Sequence, residues 1–262
     1  MTHYGTVQGE FMNMESGFGQ CLSFINCQLR PAAGGASPHD EPHRPAVTIS
    51  REAGCGALAV AELLAELLQK TTPRDEPKWT VFDRNLMEKV LADHHLPARL
   101  AKFLPEDRAS ELQDIIDDLS GRQPPSWTMI AQTAETVLKL AELGNVILIG
   151  RAGNIITSRL PHVRHVRLIA PLEKRVSYAH TLYQLSEREA RAFCLREDAA
   201  RQRYVKKYFK ANVADPLLYD LVINTGLVAF DEAARLIANL VRRNGRTANG
   251  NSRQPHPAHL AY

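Results

Sequence analysis

The chain has 262 residues, of which 44% are hydrophobic, and its formal net charge is +3. That length suits one or two domains with a sizeable core, and so mild a charge gives no reason to expect a nucleic-acid partner. No apolar run approaches the roughly 18–20 residues that cross a membrane, and the first residues lack the basic-then-apolar plan of a secretory signal, so we expect a cytoplasmic protein with no membrane partner.

Residues 1–45 are rich in Gly, Ser, Pro and Asn and show little periodicity. This composition predicts a flexible N-terminal extension. The cysteines, Cys21, Cys27, Cys55 and Cys194, lack the paired spacing of a zinc site, and the ten histidines are dispersed. We therefore expect reduced thiols and no metal ion held directly by protein side chains.

Residues 46–68 read AVTISREAGCGALAVAELLAELL. A β-branched run predicts a strand, a glycine turn follows, and apolar residues at helical spacing predict a helix over residues 57–68. This layout aims backbone N–H groups and the positive end of the helix dipole at an anion, and Gly54 and Gly56 permit close approach of phosphate oxygens. The alternative is an ordinary tight turn, because no Lys follows these glycines and Arg51 is the only cation in the turn.

The second predicted strand, residues 79–82, ends at Asp83 and Arg84. Open α/β sheets bind ligands at the carboxyl ends of their strands, although Asp83 is equally suited to cap a helix. About sixty residues of helical pattern, many of them acidic, then extend to Leu143 with no strand signal. An inserted helical lobe would account for this length.

Residues 145–149, NVILI, form a continuous apolar run typical of a strand buried on both faces. A glycine-bearing turn with Arg151 follows, where the arginine could serve a ligand or a structural ion pair. Residues 163–169 predict the fourth strand and residues 172–182 a helix.

Ser186 and Glu189 form a capping box that predicts the start of a long helix reaching about residue 211. From Arg151 to Lys210 the chain has 14 Lys and Arg against 5 Asp and Glu. This basic segment faces either an anionic ligand or solvent. Residues 221–225 predict a fifth strand, residues 230–243 a closing helix, and residues 244–262 a disordered tail.

Strands that alternate with helices predict a parallel sheet covered by helices on both faces, with the polar turns after strands 1, 2 and 3 at one edge. Four segments together resemble the cytidylate kinase-like family, a branch of the P-loop nucleoside monophosphate kinases. They are residues 46–68, WTVFDRNLM at 79–87, GNVILIGRAGNIITSRLPHVRHVRLIAPLEKRV at 144–176, and REDAARQRY with DPLLYDLVINT at 196–225.

The resemblance implies a P-loop NTPase-like three-layer sandwich with a five-stranded parallel sheet. It places the domain at residues 46–243, with a monophosphate-binding insert at about 84–143 and a lid at about 186–215. It also implies transfer of the γ-phosphoryl group of ATP, with Mg²⁺, to a nucleoside monophosphate, CMP or dCMP by preference.

By position, the resemblance assigns roles to individual residues. The residues expected to bind the ATP phosphates are Ser50, Arg51, Gly54, Cys55, Gly56 and Ala57. Those expected to bind the acceptor nucleotide are Asp83, Arg84 and Arg151. The expected lid residues are Asp198 and Arg201, and the expected catalytic residues are Arg51, Arg196 and Arg201. The chain departs from cytidylate kinases in lacking the loop Lys and Ser/Thr, and an Asp in the turn after the third strand. The alternative is therefore a nucleotide-binding, catalytically weak regulatory protein with a degenerate P-loop.

Overall fold

The computed structural model describes residues 43–83 and 128–244. The strands in these ranges are β1 (Ala46–Arg51), β2 (Thr80–Phe82), β3 (Val146–Ile149), β4 (Val163–Ile169) and β5 (Leu221–Asn224). The helices are α1 (Ala57–Gln69), α2 (Thr128–Leu143), α3 (Gly153–Ile156), α4 (Leu172–Tyr183), α5 (Glu187–Phe209) and α6 (Phe230–Asn244), with a 3₁₀ turn at Pro216–Leu218.

The five strands form one parallel sheet in the order β2-β3-β1-β4-β5. The predicted α/β fold with five parallel strands is thus confirmed. β1 is the central strand, with Ile49 opposite Ile149 of β3 and Arg51 opposite Leu168 of β4. Because all strands point the same way, the turns after β1, β3 and β4 open at the same edge of the sheet.

Helices cover both faces of the sheet, and the side chains of β1 alternate between them. Val47 and Ile49 pack into the core beneath α1 and α6, whereas Ala46 packs into the core formed with α2, α3 and the end of α5. Thr48 and Ser50 face the same side as Ala46, so this face of β1 turns polar toward its carboxyl end.

Local signals explain where several elements begin. The predicted capping box is present at α5, where the Ser186 hydroxyl accepts from the Glu189 amide and the Glu189 side chain accepts from the Ser186 amide. α1 begins after Gly56, whose φ of 75° is left-handed. The strand and helix limits agree with the predicted ones to within about two residues for most elements.

Some predictions fall outside the described residues. These are the N-terminal extension up to residue 42, Arg84, most of the proposed insert (residues 84–127) and the tail from residue 245. The division into domain, insert and lid stays a prediction. Within the described ranges, no helix combines the length and apolar character needed to cross a bilayer.

Candidate functional site

A cavity of about 220 Å³ opens at the carboxyl edge of the sheet, between the end of β1, the turn after β3 and helix α5. Its lining is polar on the sheet side and carries three arginines: Arg51 from β1, Arg151 from the β3 turn and Arg201 from α5. Parallel strand ends and a crossing helix thus gather cations that lie up to 150 positions apart in sequence. Such a cavity suits a multiply charged anion.

The Arg51 guanidinium lies against the β3 turn. A Cβ added to Gly150 would stand 1.9 Å from Arg51 Nη1, so only glycine leaves room for this side chain. Burial, followed by repulsion from Arg201 and then Arg151, lowers the pKa of Arg51 from 12.5 to about 10, and Asp83 partly opposes that change. Arg51 stays charged at neutral pH, and an anion bound in the cavity would stabilise its charged form.

The turn after β3 has an unusual backbone. Gly150, Arg151 and Ala152 are all left-handed, with φ of 85°, 56° and 56°. Each non-glycine residue in this region costs roughly 1–2 kcal/mol, and such strain concentrates at functional sites. Arg151 of this turn and Tyr204 of α5 line the same cavity. Burial raises the pKa of Tyr204, and the charge of Arg151 partly opposes that rise.

A buried polar network lies under the cavity. Thr48 and Ser50 of β1 stand opposite His165 and Arg167 of β4 in the strand register. Thr48 Oγ1 and His165 Nδ1 share a hydrogen bond of 2.9 Å, and Arg167 Nη1 donates to Ser50 Oγ over 3.1 Å. The Tyr219 hydroxyl donates to the Val213 carbonyl over 2.8 Å, so its oxygen is free to accept from the Ser50 hydroxyl, 3.1 Å away. Arg167 therefore adds positive charge behind the cavity floor. Arg167 and Tyr219 together fix the Ser50 hydroxyl.

Asp198 joins α5 to the loop after β1. Its Oδ1 accepts from the Ala53 amide over 2.7 Å and from Arg201 Nη1 over 3.1 Å, and its Oδ2 accepts from Arg175 Nη1 over 2.6 Å. Arg175 also donates to the Ala53 carbonyl over 3.1 Å. The carboxylate thereby holds Arg201 beside the cavity and fixes the distance between α5 and the loop.

The glycines of the loop make room for protein atoms. A Cβ at Gly54 would lie 2.4 Å from the Arg175 carbonyl oxygen, and a Cβ at Gly56 would lie 2.1 Å from the Phe230 ring. Both residues also have left-handed φ angles, of 80° and 75°. The loop thus packs against α4 and α6, and its glycines are required by that packing.

The Cys55 side chain points into the core. Its Sγ–H donates to the Glu52 carbonyl over 3.0 Å, and burial raises the pKa of this thiol to about 12. The first hydrogen bond of α1 runs from the Val60 N–H to the Gly56 carbonyl, and no side chain caps the start of the helix. The amides of residues 57–59 therefore precede the helical ladder at the positive end of the helix dipole.

Comparison with known proteins identifies the family. The sequence profile of the cytidylate kinase-like family matches residues 46–227, which is more than half of the chain. The chain belongs to this family. The resemblance that the sequence motifs indicated is confirmed, and membership supports a kinase-type activity.

A solved structure shares the fold of this cytidylate kinase-like protein. An uncharacterised protein from Eubacterium ventriosum ATCC 27560 matches with a TM-score of 0.58 and 20% identity over 76% of this chain and 99% of that one, which shows the fold alone. A shikimate kinase from Bacteroides thetaiotaomicron has a TM-score of 0.37 and 13% identity over 76% and 98% of the two chains. A gluconokinase from Sinorhizobium meliloti 1021 has a TM-score of 0.36 and 12% identity over 80% of this chain and 100% of that one. These two likenesses are remote.

One curated relative matches in part. The uronate isomerase of Corynebacterium glutamicum is 31% identical over 115 residues, or 44% of this chain. The match spans only 22% of the length of that protein.

The cytidylate kinase-like domain brings together part of the predicted site. Ser50, Arg51, Arg151 and Arg201 line one cavity, and Asp83 acts electrostatically on Arg51. The loop residues Gly54, Cys55, Gly56 and Ala57 are absent from the cavity lining, and Asp198 is next to it. Arg196 is exposed on α5, with its guanidinium 5.8 Å from the Phe193 ring centroid, and does not line the cavity.

Sequence reasoning missed several residues of this site: Thr48, Asn154, Arg167, Arg175, Glu197, Tyr204 and Tyr219. One signal was available for Arg167, because an arginine inside a strand predicted to be buried needs a partner. Arg167 is 6% exposed. The others depend on distant contacts that no local pattern reports.

A second polar cluster lies at the opposite, amino edge of the sheet. His43 Nδ1 lies 3.0 Å from one oxygen of the buried Glu142 carboxylate, and His162 Nε2 lies 3.7 Å from the other. The two rings are stacked, with centroids 4.6 Å apart and planes 14° apart. Imidazole lone pairs lie in the ring plane, so two nearly parallel stacked rings aim poorly at one metal ion. The cluster is better suited to compensating the buried carboxylate.

Proposed function

We propose that this protein transfers the γ-phosphoryl group of ATP to a nucleoside monophosphate, with CMP or dCMP preferred. The convergence of Arg51, Arg151 and Arg201 in one cavity beside a strand–loop–helix carries the proposal. The preference for a cytosine base depends on family membership alone.

Phosphoryl transfer requires positioning and charge stabilisation more than covalent chemistry. Negative charge develops on the equatorial oxygens of the transferring group, and guanidinium forks pair with these oxygens bidentately. A single well-placed arginine contributes on the order of 10³–10⁵ in rate in enzymes of this reaction class. Arg151, from the turn after β3, and Arg201, from α5, suit the acceptor phosphate and the group in transfer.

The donor phosphates would lie at the loop between β1 and α1. The uncapped start of α1 presents its first amides at the positive end of the helix dipole. Arg51 is the last residue of β1, directly before this loop, and its side chain lines the cavity, so it connects the proposed donor loop with the proposed acceptor site. We assign it the bridging cation role that a loop lysine has in other P-loop proteins.

The residues of the loop fit Mg²⁺ only through the nucleotide. Ala57 and Leu58 carry no side-chain oxygen, and the Glu52 carboxylate already accepts from the Ala170 amide over 3.0 Å and lies 3.4 Å from Arg175. Mg²⁺ would therefore be bound by ATP phosphates and water, where it neutralises charge. The protein's own part is to bind and orient the phosphates.

The test is ADP release, coupled to an indicator reaction, with ATP, Mg²⁺ and each of CMP, dCMP, UMP and AMP. We expect turnover with CMP and dCMP above the rate of ATP hydrolysis alone. Arg151→Ala should raise KM for the monophosphate at least tenfold with little change in melting temperature. Arg235→Ala is the matched control, because Arg235 is exposed on α6, away from the cavity, and forms an exposed ion pair with Asp231. Equal losses of activity and melting temperature in Arg151→Ala would contradict the assignment.

A regulatory, catalytically weak nucleotide-binding protein is the second candidate. The observation that favours it is the Asp198 carboxylate, which already accepts the Ala53 amide in a loop that lacks the lysine. This candidate predicts nucleotide binding by calorimetry without phosphoryl transfer. Transfer to any monophosphate at a rate well above hydrolysis would exclude it, and failure to bind any nucleotide would exclude both candidates.

A further inference from the structure

Asn154 is a buried polar residue that lines the arginine cavity. It belongs to α3, directly after the left-handed turn that carries Arg151, and is only 6% exposed. Its amide nitrogen Nδ2 is buried and has no hydrogen-bond partner among the described residues. A buried amide that lacks its bonds costs folding free energy, so its place on a cavity wall requires an explanation.

Asn145 shows how this fold treats a buried asparagine that has a structural role. It is 1% exposed, and its Nδ2 donates to Glu76 Oε2 over 3.1 Å and to the Pro77 carbonyl over 2.9 Å. Both asparagines flank β3, one at each end. Only the one at the cavity end lacks a partner for its amide nitrogen, which points to a ligand rather than to the fold.

We propose that Asn154 is a ligand-positioning residue whose side chain turns its buried amide N–H toward the cavity and donates to an acceptor atom of the bound monophosphate. This inference rests on the proposed function, because it takes the same cavity as the acceptor site. An amide donor is neutral and directional. The three guanidinium groups would attract the anionic ligand, and the amide would help to fix the ligand's orientation. A phosphate oxygen, a sugar hydroxyl and a base carbonyl share the acceptor chemistry required.

The inference predicts effects of opposite sign on folding and on binding. Replacing Asn154 by the similarly sized Leu removes the unpaired donor, so the ligand-free protein should melt about 2–5 °C higher. The same change should weaken CMP binding about 10- to 100-fold, since the bound acceptor then faces an apolar group. Asn154→Asp keeps the shape but removes the donors, and should weaken CMP binding at least tenfold.

The experiment measures melting temperature without ligand, and calorimetric affinity for CMP, AMP and inorganic phosphate, in the full chain. Asn145→Leu is the matched control and should lower the melting temperature, because it breaks two hydrogen bonds of a buried amide. A loss shared by CMP, AMP and phosphate places the amide on the phosphate group, and a loss confined to a nucleotide places it on the sugar or base. Both results support the proposal.

Three results would overturn it. These are a melting temperature that falls in Asn154→Leu as it does in Asn145→Leu, affinities within twofold of the parent protein in both Asn154 variants, and a parent protein that binds none of the three probes. The proposed function is tested separately, because a protein that binds CMP through Asn154 but releases no ADP would fail as a kinase and still confirm this inference.

Discussion

Replacing Arg51 by Met should stabilise the ligand-free protein while it impairs binding. The lowered pKa of Arg51, about 10 instead of 12.5, means that folding disfavours its charged form. At 1.36 kcal/mol per pKa unit, the difference is about 3 kcal/mol at neutral pH as an upper limit. The folded pKa lies below the unfolded value, so this penalty is fully present below pH 10 and declines only as the pH rises from there toward 12.5.

Met keeps the length of the side chain but removes the charge. We expect the free energy of unfolding to rise by about 1–2 kcal/mol after allowance for partial solvation, and the melting temperature by about 2–4 °C for each kcal/mol. The affinity for ATP should fall at least tenfold and kcat about 10²-fold or more, since a cation facing the transferring group is lost.

Urea unfolding, calorimetry with ATP and the coupled ADP assay measure these three quantities. Arg235→Met is the control, because its exposed ion pair with Asp231 lies on α6 and should contribute little to stability. A less stable Arg51→Met protein with unchanged ATP affinity would refute the reasoning, since Arg51 would then be a structural cation.

Three further predictions follow from particular contacts. Asp198→Asn should lower the free energy of unfolding by about 1–3 kcal/mol in urea titrations, because charge-assisted bonds to Arg175 and to the loop weaken; no change would show that these contacts are dispensable. Cys55 should resist iodoacetamide at pH 8 in peptide mapping of the folded protein, since its pKa near 12 leaves almost no thiolate, and should react once urea unfolds the chain. Gly150→Ala should lose about 1–2 kcal/mol of stability and also nucleotide affinity, because the new Cβ meets Arg51 at a φ of 85°; retained affinity would contradict this.

Local sequence signals predicted the elements well because they act over a few residues. The apolar run of β3 and the capping box of α5 each contain their own physical cause, burial in one case and amide satisfaction in the other. The basic region from Arg151 to Lys210 divides between the two alternatives, because Arg151 and Arg201 line the cavity whereas Lys206, Lys207 and Lys210 are exposed. Arg151 and Arg201 were predicted from the resemblance, and both line the cavity.

The exposed position of Arg196 shows where such reasoning stops. Arg196 and Arg201 are five residues apart on one helix, which places them on different faces. Which face meets the cavity depends on how α5 packs, through its buried residues Ala190, Cys194 and Val205 and through the bond from the Ala53 amide to Asp198. The loop glycines likewise signalled close approach, and the structure fills the space beside them with the Arg175 backbone and the Phe230 ring.

The sequence alone determined which segments become strands and helices and which of their ends are polar, because those properties depend on side chains within a turn or two. Tertiary structure decided that β1 lies between β3 and β4, and hence that Ser50 meets Arg167 across the sheet. It also decided that Asn154 is buried on a cavity wall without a partner for its amide nitrogen in the described part of the chain. These contacts join residues dozens of positions apart, and only the packing of whole elements brings such residues together.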